Sequence, residues 1–194
     1  MREGRIARKT RETDVQVRWN LDQARPPKVA SGSGFLDHML TQLGHHSGTD
    51  LEASCVGDVH IDLHHSVEDL AIALGEALKA ALGDKRGIER FGFYYAPLDE
   101  SLSRCCLDLS GRFTLEFHAH PGRDKVGDLD AELVEHFFAS LAEHAGMTLH
   151  LDLLRSRNAH HAVESTFKAF ARALAMAIAP ARSGDGIPST KGTL

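Results

Sequence analysis

The sequence predicts an α+β fold made by internal duplication, each half an antiparallel sheet covered by two helices, with the halves related by a pseudo-two-fold axis. Three observations predict it. The segment His64-His65-Ser66-Val67-Glu68 recurs as His160-His161-Ala162-Val163-Glu164. Asp37-His38-Met39-Leu40 is echoed by Glu135-His136-Phe137-Phe138, and Leu43, His46 and Gly48 are echoed by Leu141, His144 and Gly146. Around these anchors, period-2 and helical patterns follow one another in the same order in both halves.

Residues 13–20 alternate apolar and polar, placing Val15, Val17 and Trp19 on one face of a half-buried strand. The Pro/Gly/Ser-rich stretch 22–34 reads as a loop. Leu36, Met39, Leu40 and Leu43 then fall at helical spacing, and Gly44 can end that helix. A strand follows over 51–56, and a second helix runs from about His64, carrying Val67, Leu70, Leu74 and Leu78, to Gly83. In the second half, 91–95, 102–109 and 113–117 read as strands. A helix over about 129–145 presents Leu133, Phe137 and Leu141, a strand covers 147–154, and the last helix spans about 160–178. The predicted organisation is a first repeat over 1–90, a second over 91–182 (the two forming one compact unit) and a polar tail over 183–194.

At 194 residues, 42% hydrophobic and 25% charged, the chain can bury a sizeable core. A net charge of −5 gives no reason to expect a nucleic-acid or anionic-membrane partner. Three cysteines, two of them adjacent (Cys105, Cys106), make no disulfide framework. With no signal-peptide pattern at the start, a reducing, cytoplasmic setting is expected. Histidine stands out, at 13 residues, several of them paired.

On a helix Glu68 is one turn from both His64 and His65. Adjacent residues point about 100° apart, however, so His64 and His65 cannot easily chelate one ion together. The simplest geometry has each imidazole facing a different metal, with His160, His161 and Glu164 doing the same. His38 and His136, each following an acid near the start of an apolar helix, bring the candidates to eight, enough for two metals with about four protein ligands each. Imidazole with carboxylate and no thiolate suits Mn²⁺, Fe²⁺ or Zn²⁺ rather than a closed structural zinc site. A single His-His pair on a surface helix is usually just solvated, but two copies with the same carboxylate offset are poor candidates for mere packing. Taken singly, His45, His46, His118, His120, His144 and His150 read as surface residues.

Gly34-Phe-Leu-Asp-His-Met-Leu40, His64-His-Ser-Val-Glu-Asp69, Phe167-Lys-Ala169 after the second histidine pair, and Pro188-Ser-Thr-Lys-Gly192 resemble the imidazoleglycerol-phosphate dehydratase family. So do Arg11-Glu-Thr13 and Asp108-Leu-Ser-Gly-Arg112. The resemblance spans about residues 5–194, with the motifs in the family's order. It implies a manganese-dependent hydro-lyase of histidine biosynthesis, with two Mn²⁺ per subunit, that converts imidazole glycerol phosphate into imidazole acetol phosphate and water. It also implies a hollow octahedral homo-oligomer of two dozen subunits with active sites between neighbours. The metal ligands it implies are His38, His64, His65, Glu68, His136, His160, His161 and Glu164, the eight nominated by the repeat.

The hydrogen to be removed is barely acidic and hydroxide is a poor leaving group, so metals bound to the substrate imidazole would act as Lewis acids and template. Glu68 and Glu164 belong to that catalytic centre, and the resemblance makes Glu12 the acid/base. Lys168, one turn beyond Glu164, has two open roles: contact with substrate or a salt bridge to Glu164. Arg90, Arg112, Ser189 and Lys191 match the family's phosphate-binding positions, with Gln42 and His46 lining the same pocket. The stretch Arg155-Ser-Arg-Asn158 lacks the glycine expected there, which bears on local loop shape. Two alternatives from the same residues are a non-catalytic metal-binding protein and a dinuclear metallohydrolase of a phosphate ester.

Overall fold

A computed structural model describes residues 1–182 and 184–194; Ser183, the first residue of the polar tail, lies outside the described residues. The first half runs β1 (Glu3–Lys9), β2 (Thr13–Asn20), β3 (Lys28–Ala30), α1 (Gly34–Ser47), β4 (Asp50–Gly57) and α2 (His64–Leu82). The second runs β5 (Phe91–Leu98), β6 (Ser101–Asp108), β7 (Thr114–His118), a short hairpin of β8 (Lys125–Val126) and β9 (Leu129–Asp130), then α3 (Glu132–Ala145), β10 (Thr148–Arg155) and α4 (Ala159–Ala177). The sheets have matching orders, β1-β2-β4-β3 and β5-β6-β10-β7. The matching helices have equal lengths, 14 residues for α1 and α3 and 19 for α2 and α4. The α+β class and the duplication therefore appear directly in the topology.

Each sheet is antiparallel except at one edge, where β3 lies parallel to β4 and β7 parallel to β10. A helix separates the members of each parallel pair, as a crossover between parallel strands requires. Strand β3 sits inside the stretch read from sequence as loop: three residues in a Pro/Gly/Ser-rich context carry too little periodicity to register. Strand β1 also escaped the sequence reading, because only Gly4 is buried and the inner-face position Arg8 is polar, pairing with Asp69 of α2, while Arg5 and Lys9 face outward. That glycine is required, since a Cβ there would collide with the Ala77 carbonyl of α2; Gly92 of β5 meets the Ala173 carbonyl of α4 in the same way. The same close approach of strand to helix thus occurs in both halves.

Helix α1 does not end at Gly44. It continues to Ser47 and closes on Gly48, whose φ of 69° places it in the left-handed region that glycine tolerates. Gly44 is instead a packing position, with room for no more than hydrogen beside Pro27 and Leu51. Helix α3 starts three residues later than the periodicity suggested, because residues 129–130 pair into the β8–β9 hairpin.

Helix α2 lies across β1, β2 and β4, and α4 across β5, β6 and β10; α1 packs on α4 and α3 on α2. Every short helix therefore rests on the long helix of the other half. One continuous core results, from Val15, Val17 and Trp19 on the first sheet to Leu149 and Leu151 on the second. Phe137 and Phe138 of α3 pack on Phe167 and Phe170 of α4, with ring centroids 4.8–5.4 Å apart. Truncating one such buried ring to alanine typically costs about 3–5 kcal/mol. The three cysteines are free, and among the described residues no helix is long and apolar enough to cross a membrane.

Candidate metal centres

The exchange of helices between halves builds two clusters, each with donors from both repeats. In the first, His38 of α1 meets His160 and Glu164 of α4. The His38 Nε2 and His160 Nε2 atoms lie 3.2 and 3.0 Å from Glu164 Oε2. In the second, His136 of α3 meets His64 and Glu68 of α2, with Nε2 of His136 3.3 Å from Glu68 Oε1 and the two rings 4.6 Å apart. Within each trio the donor atoms fall within 4.8 Å of one another. The second trio opens into a cleft of about 400 Å³ lined by His64, Glu132, Leu133, Glu135, His136 and Ala139.

Helix starts aim these side chains. Asn158 caps α4, its Oδ1 accepting from the His160 and His161 amides at 2.9 and 3.4 Å, so the glycine-free stretch 155–158 forms an ordinary capped start. Asp62 accepts from the His64 amide at 2.8 Å. For α1 the cap is long-range. Ser33 Oγ accepts from the Leu36 amide at 3.2 Å, while Asp128, in the β8–β9 turn, accepts from the Gly34 and Phe35 amides at 2.7 and 3.0 Å. Burial pushes the Asp128 carboxyl up, but bonds from Phe35, Ser33 and Gly34 outweigh it and hold it low. The hairpin unique to the second half therefore fixes the helix that carries His38.

The electrostatics favour a cation. Glu164 is only 8% exposed; burial raises its carboxyl, yet the bonds from Lys168 and His38 win and keep it below its ordinary value. Lys168 Nζ sits 2.6 Å from Glu164 Oε1, so of its two open roles the salt bridge is the one formed in this chain. His136 Nε2 is buried without a hydrogen-bond partner. An imidazole nitrogen left orphaned beside a carboxylate and a second imidazole is costly unless a Lewis acid takes its lone pair. Two imidazoles and one carboxylate, without thiolate, fit Mn²⁺ or a similar ion with positions left open.

The paired imidazoles do separate: the ring planes of His64 and His65 are inclined by 86° and those of His160 and His161 by 90°, with the centroids of each pair 6.1 Å apart. His65 and His161, however, join neither trio. Asp58 Oδ2 lies 3.0 Å from His65 Nδ1, and Glu100 Oε2 lies 3.0 Å from His161 Nδ1. Among the described residues, the eight nominated ligands therefore form two three-donor sets rather than the four-donor sets expected, and His161 lies instead with Asp99 and Glu100. The divergence that separates neighbours on a helix also turns the second histidine away from its own chain's cluster. Asp58 and Glu100 were missed in the sequence because nothing local links a strand-end acid to a helix-start histidine.

Glu12 lies in the β1–β2 turn, about half exposed, with Oε2 3.8 Å from His65 Nε2. Gln42 and His46 share a face of α1, His46 Nε2 lying 3.1 Å from Gln42 Oε1. Burial, followed by the charges of His45, Lys168 and Arg172, lowers the His46 pKa. Arg90 adopts φ 69° and binds Asp108 through two contacts of 2.6 and 2.9 Å, while a third nitrogen donates to the Pro188 carbonyl at 2.9 Å. The tail thus folds back on Arg90, with Ser189 Oγ accepting from the Lys191 amide at 3.2 Å. Arg112 is exposed on the loop after β6, beside Gly111, which lies against the C-terminal Leu194. Arg90, the Arg112 loop, Ser189 and Lys191 are therefore gathered along the tail, whereas Gln42 and His46 sit with Lys168 between α1 and α4.

The imidazoleglycerol-phosphate dehydratase family model matches residues 31–174. The imidazoleglycerol-phosphate dehydratases of Dechloromonas aromatica and Symbiobacterium thermophilum are 52% and 53% identical to this chain. They align over all of it and over 100% and 93% of their own lengths. The crystal structure of the enzyme from Staphylococcus aureus superposes with a TM-score of 0.83 at 38% identity, covering 92% of this chain and 99% of that one. The Pyrococcus furiosus enzyme, solved in complex with (S)-C348, gives 0.82 at 31% identity, covering 97% and 100%. With its motifs, its duplicated topology and full-length relatives in agreement, the chain belongs to the imidazoleglycerol-phosphate dehydratase family.

Proposed function

We propose that this chain removes water from imidazole glycerol phosphate to give imidazole acetol phosphate in histidine biosynthesis, using two Mn²⁺ per subunit. The observation that carries this reading is the pair of trios built from opposite halves, His38/His160/Glu164 and His64/Glu68/His136. His65 and His161, turned away from both trios, would complete the sets of neighbouring copies, giving each ion four protein donors. That requirement supports a homo-oligomer, and the family's octahedral assembly of two dozen subunits meets it. Bound manganese would supply Lewis acidity at the substrate imidazole and a template for its orientation.

The chain's own residues do the rest. Lys168 keeps Glu164 ionised. Glu12, exposed beside His65, travels with that histidine to the neighbour's site and takes the proton from the substrate carbon. A C–H bond and the adjacent C–O bond break, and Glu12 passes the proton it took to the departing hydroxyl so that water leaves. The enol becomes the ketone as its O–H proton is lost to the freed carboxylate and delivered to carbon. Arg90, Arg112, Ser189 and Lys191 neutralise and orient the phosphate, with Gln42 and His46 closing the pocket. Residues 1–90 and 91–182 act as one catalytic unit and 183–194 as a substrate-binding tail. The reading places the enzyme in the cytoplasm, with neither nucleic acid nor membrane as partner.

The deciding experiment strips the metals, restores Mn²⁺ and follows imidazole glycerol phosphate. The expected product is an organic phosphate ketone. Release of inorganic phosphate would identify a metallohydrolase, and metal uptake without turnover a binding protein.

A further inference from the structure

The two halves place an identical acid at an identical point and then use it differently. In the β1–β2 hairpin Gly4 pairs with Trp19, and in the β5–β6 hairpin Gly92 pairs with Leu107. The two registers superpose, and the buried glycines Gly4 and Gly92 meet α2 and α4 at the matching residues Ala77 and Ala173. In this register Glu12 and Glu100 are counterparts, each the last residue before the second strand of its hairpin. Each also faces the second histidine of its half, His65 or His161.

Their environments differ because of one further position. Asp58, the first residue after β4, takes His65 Nδ1 and leaves Glu12 about half exposed. The first residue after β10 is Ser156, whose hydroxyl is engaged by Ser101 at 2.6 Å and donates to the Asn158 carbonyl. With no acid there, Glu100 itself takes His161 Nδ1, and its side chain is only 19% exposed. In both halves a carboxylate holds Nδ1, so Nε2 is the ring nitrogen left for a ligand.

We propose that Asp58 and Glu100 are positioning residues that fix the ring orientation and tautomer of His65 and His161, and that the exchange of Asp58 for Ser156 decides which of two equivalent glutamates remains free for proton chemistry. The inference rests on the reading of His65 and His161 as donors to metals of neighbouring copies. Carboxylate partners on the far nitrogen of ligating histidines orient the ring and raise its basicity, and their loss typically weakens metal binding about 10–100-fold. Asp99 also approaches Glu100 and His161, but the hydrogen bond already occupies His161 Nδ1, and the same arrangement at His65 points to orientation rather than to a third metal.

The test uses the assembled, full-length enzyme and Mn²⁺ titration followed by electron paramagnetic resonance, with melting of the metal-free protein as the structural control. Glu100→Met removes the acceptor at similar volume. It should weaken one of two Mn²⁺ sites per chain about 10–100-fold and leave metal-free melting unchanged, with Glu100→Gln intermediate. Asp58→Asn should weaken the other site. Adding Ser156→Asp to Glu100→Met should restore tight binding, because the second half then carries the acid of the first. Unchanged affinity in both single variants, a drop explained by lower metal-free melting, or failure of the Ser156→Asp rescue would overturn the proposal. So would a wild-type stoichiometry of three with one site lost in Glu100→Met. If the wild-type enzyme bound no Mn²⁺, the parent reading would fall as well; if it bound two and turned over normally while the variants kept full affinity, only this inference would.

Discussion

The His38 imidazole of α1 lies 3.2 Å from the Glu164 carboxylate of α4, 126 residues further along the chain. Its mirror, His136 against Glu68, stands at 3.3 Å. Neither repeat can complete a cluster from its own helices. A substitution in one half should therefore empty the centre anchored in the other. His38→Ala and His136→Ala are each expected to lower the Mn²⁺ content after dialysis from two per chain to one, while the double variant retains none. Elemental analysis of the three proteins checks this, and retention of both ions in either single variant would contradict it.

Gly75 sets the spacing between α2 and α3. A Cβ there would lie 2.6 Å from the Leu141 carbonyl and 2.8 Å from His144 Cβ. Gly75→Ala must push the helices apart, at a cost of about 1–3 kcal/mol by the usual penalty for overpacking. Because His64 and Glu68 ride on α2 and His136 on α3, the Mn²⁺ affinity of that centre should fall while the His38 centre is spared. Calorimetric melting and metal titration on one preparation report both effects.

Lys168 holds Glu164 at 2.6 Å in a largely buried pair. Lys168→Met should cost about 1.5–3 kcal/mol, as for other hydrogen bonds to a charged group, lowering the melting temperature by several degrees. Burial would then act on Glu164 with less opposition and raise its pKa. The variant's Mn²⁺ affinity relative to the unsubstituted chain should therefore fall as pH is lowered from neutrality toward the carboxyl range, and an affinity ratio independent of pH would refute the role given to Lys168.

Arg18 gathers Glu3, Asp50 and Glu52 within 2.7–3.2 Å. Arg5 and Asn20, with Arg18, hold Glu3 down to about 2, and Arg18 and Lys28 hold Glu52 there too. A carboxyl whose folded pKa lies below its unfolded value of about 4.3 stabilises the fold above that value and loses the effect as pH falls toward the folded one. Melting temperature should be level above about pH 5 and drop between about pH 4.5 and 2. Arg18→Met should flatten that drop and lower the plateau; a parallel acid limb in the variant would remove this cluster from the explanation.

Glu12→Gln should keep metal content and assembly but lose turnover by about 100-fold or more, the scale of a missing acid/base group. Ending the chain before Ser189 should instead raise KM with little change in melting, since residues 189–194 contribute nothing to the buried core. Full activity in the first variant, or unchanged KM in the second, would remove that element from the site.

The amino-acid sequence alone determined the duplication, the strand face of Val15, Val17 and Trp19, the apolar stripes of the four helices and the identity of the paired histidines. These are local properties: side-chain direction repeats every two residues on a strand and every 3.6 on a helix, so spacing reveals it. It could not determine which histidine meets which glutamate. Helical geometry separated His64 from His65, but only the packing of α1 on α4 and α3 on α2 joined His38 to Glu164 and His136 to Glu68, and left His65 and His161 outside both trios. The i,i+4 spacing of Glu164 and Lys168 already offered their salt bridge, whereas the Asp128 cap on α1 and the unequal use of Glu12 and Glu100 likewise rest on contacts between residues distant in sequence. Such contacts depend on how whole elements come together, and no periodicity within one element records them.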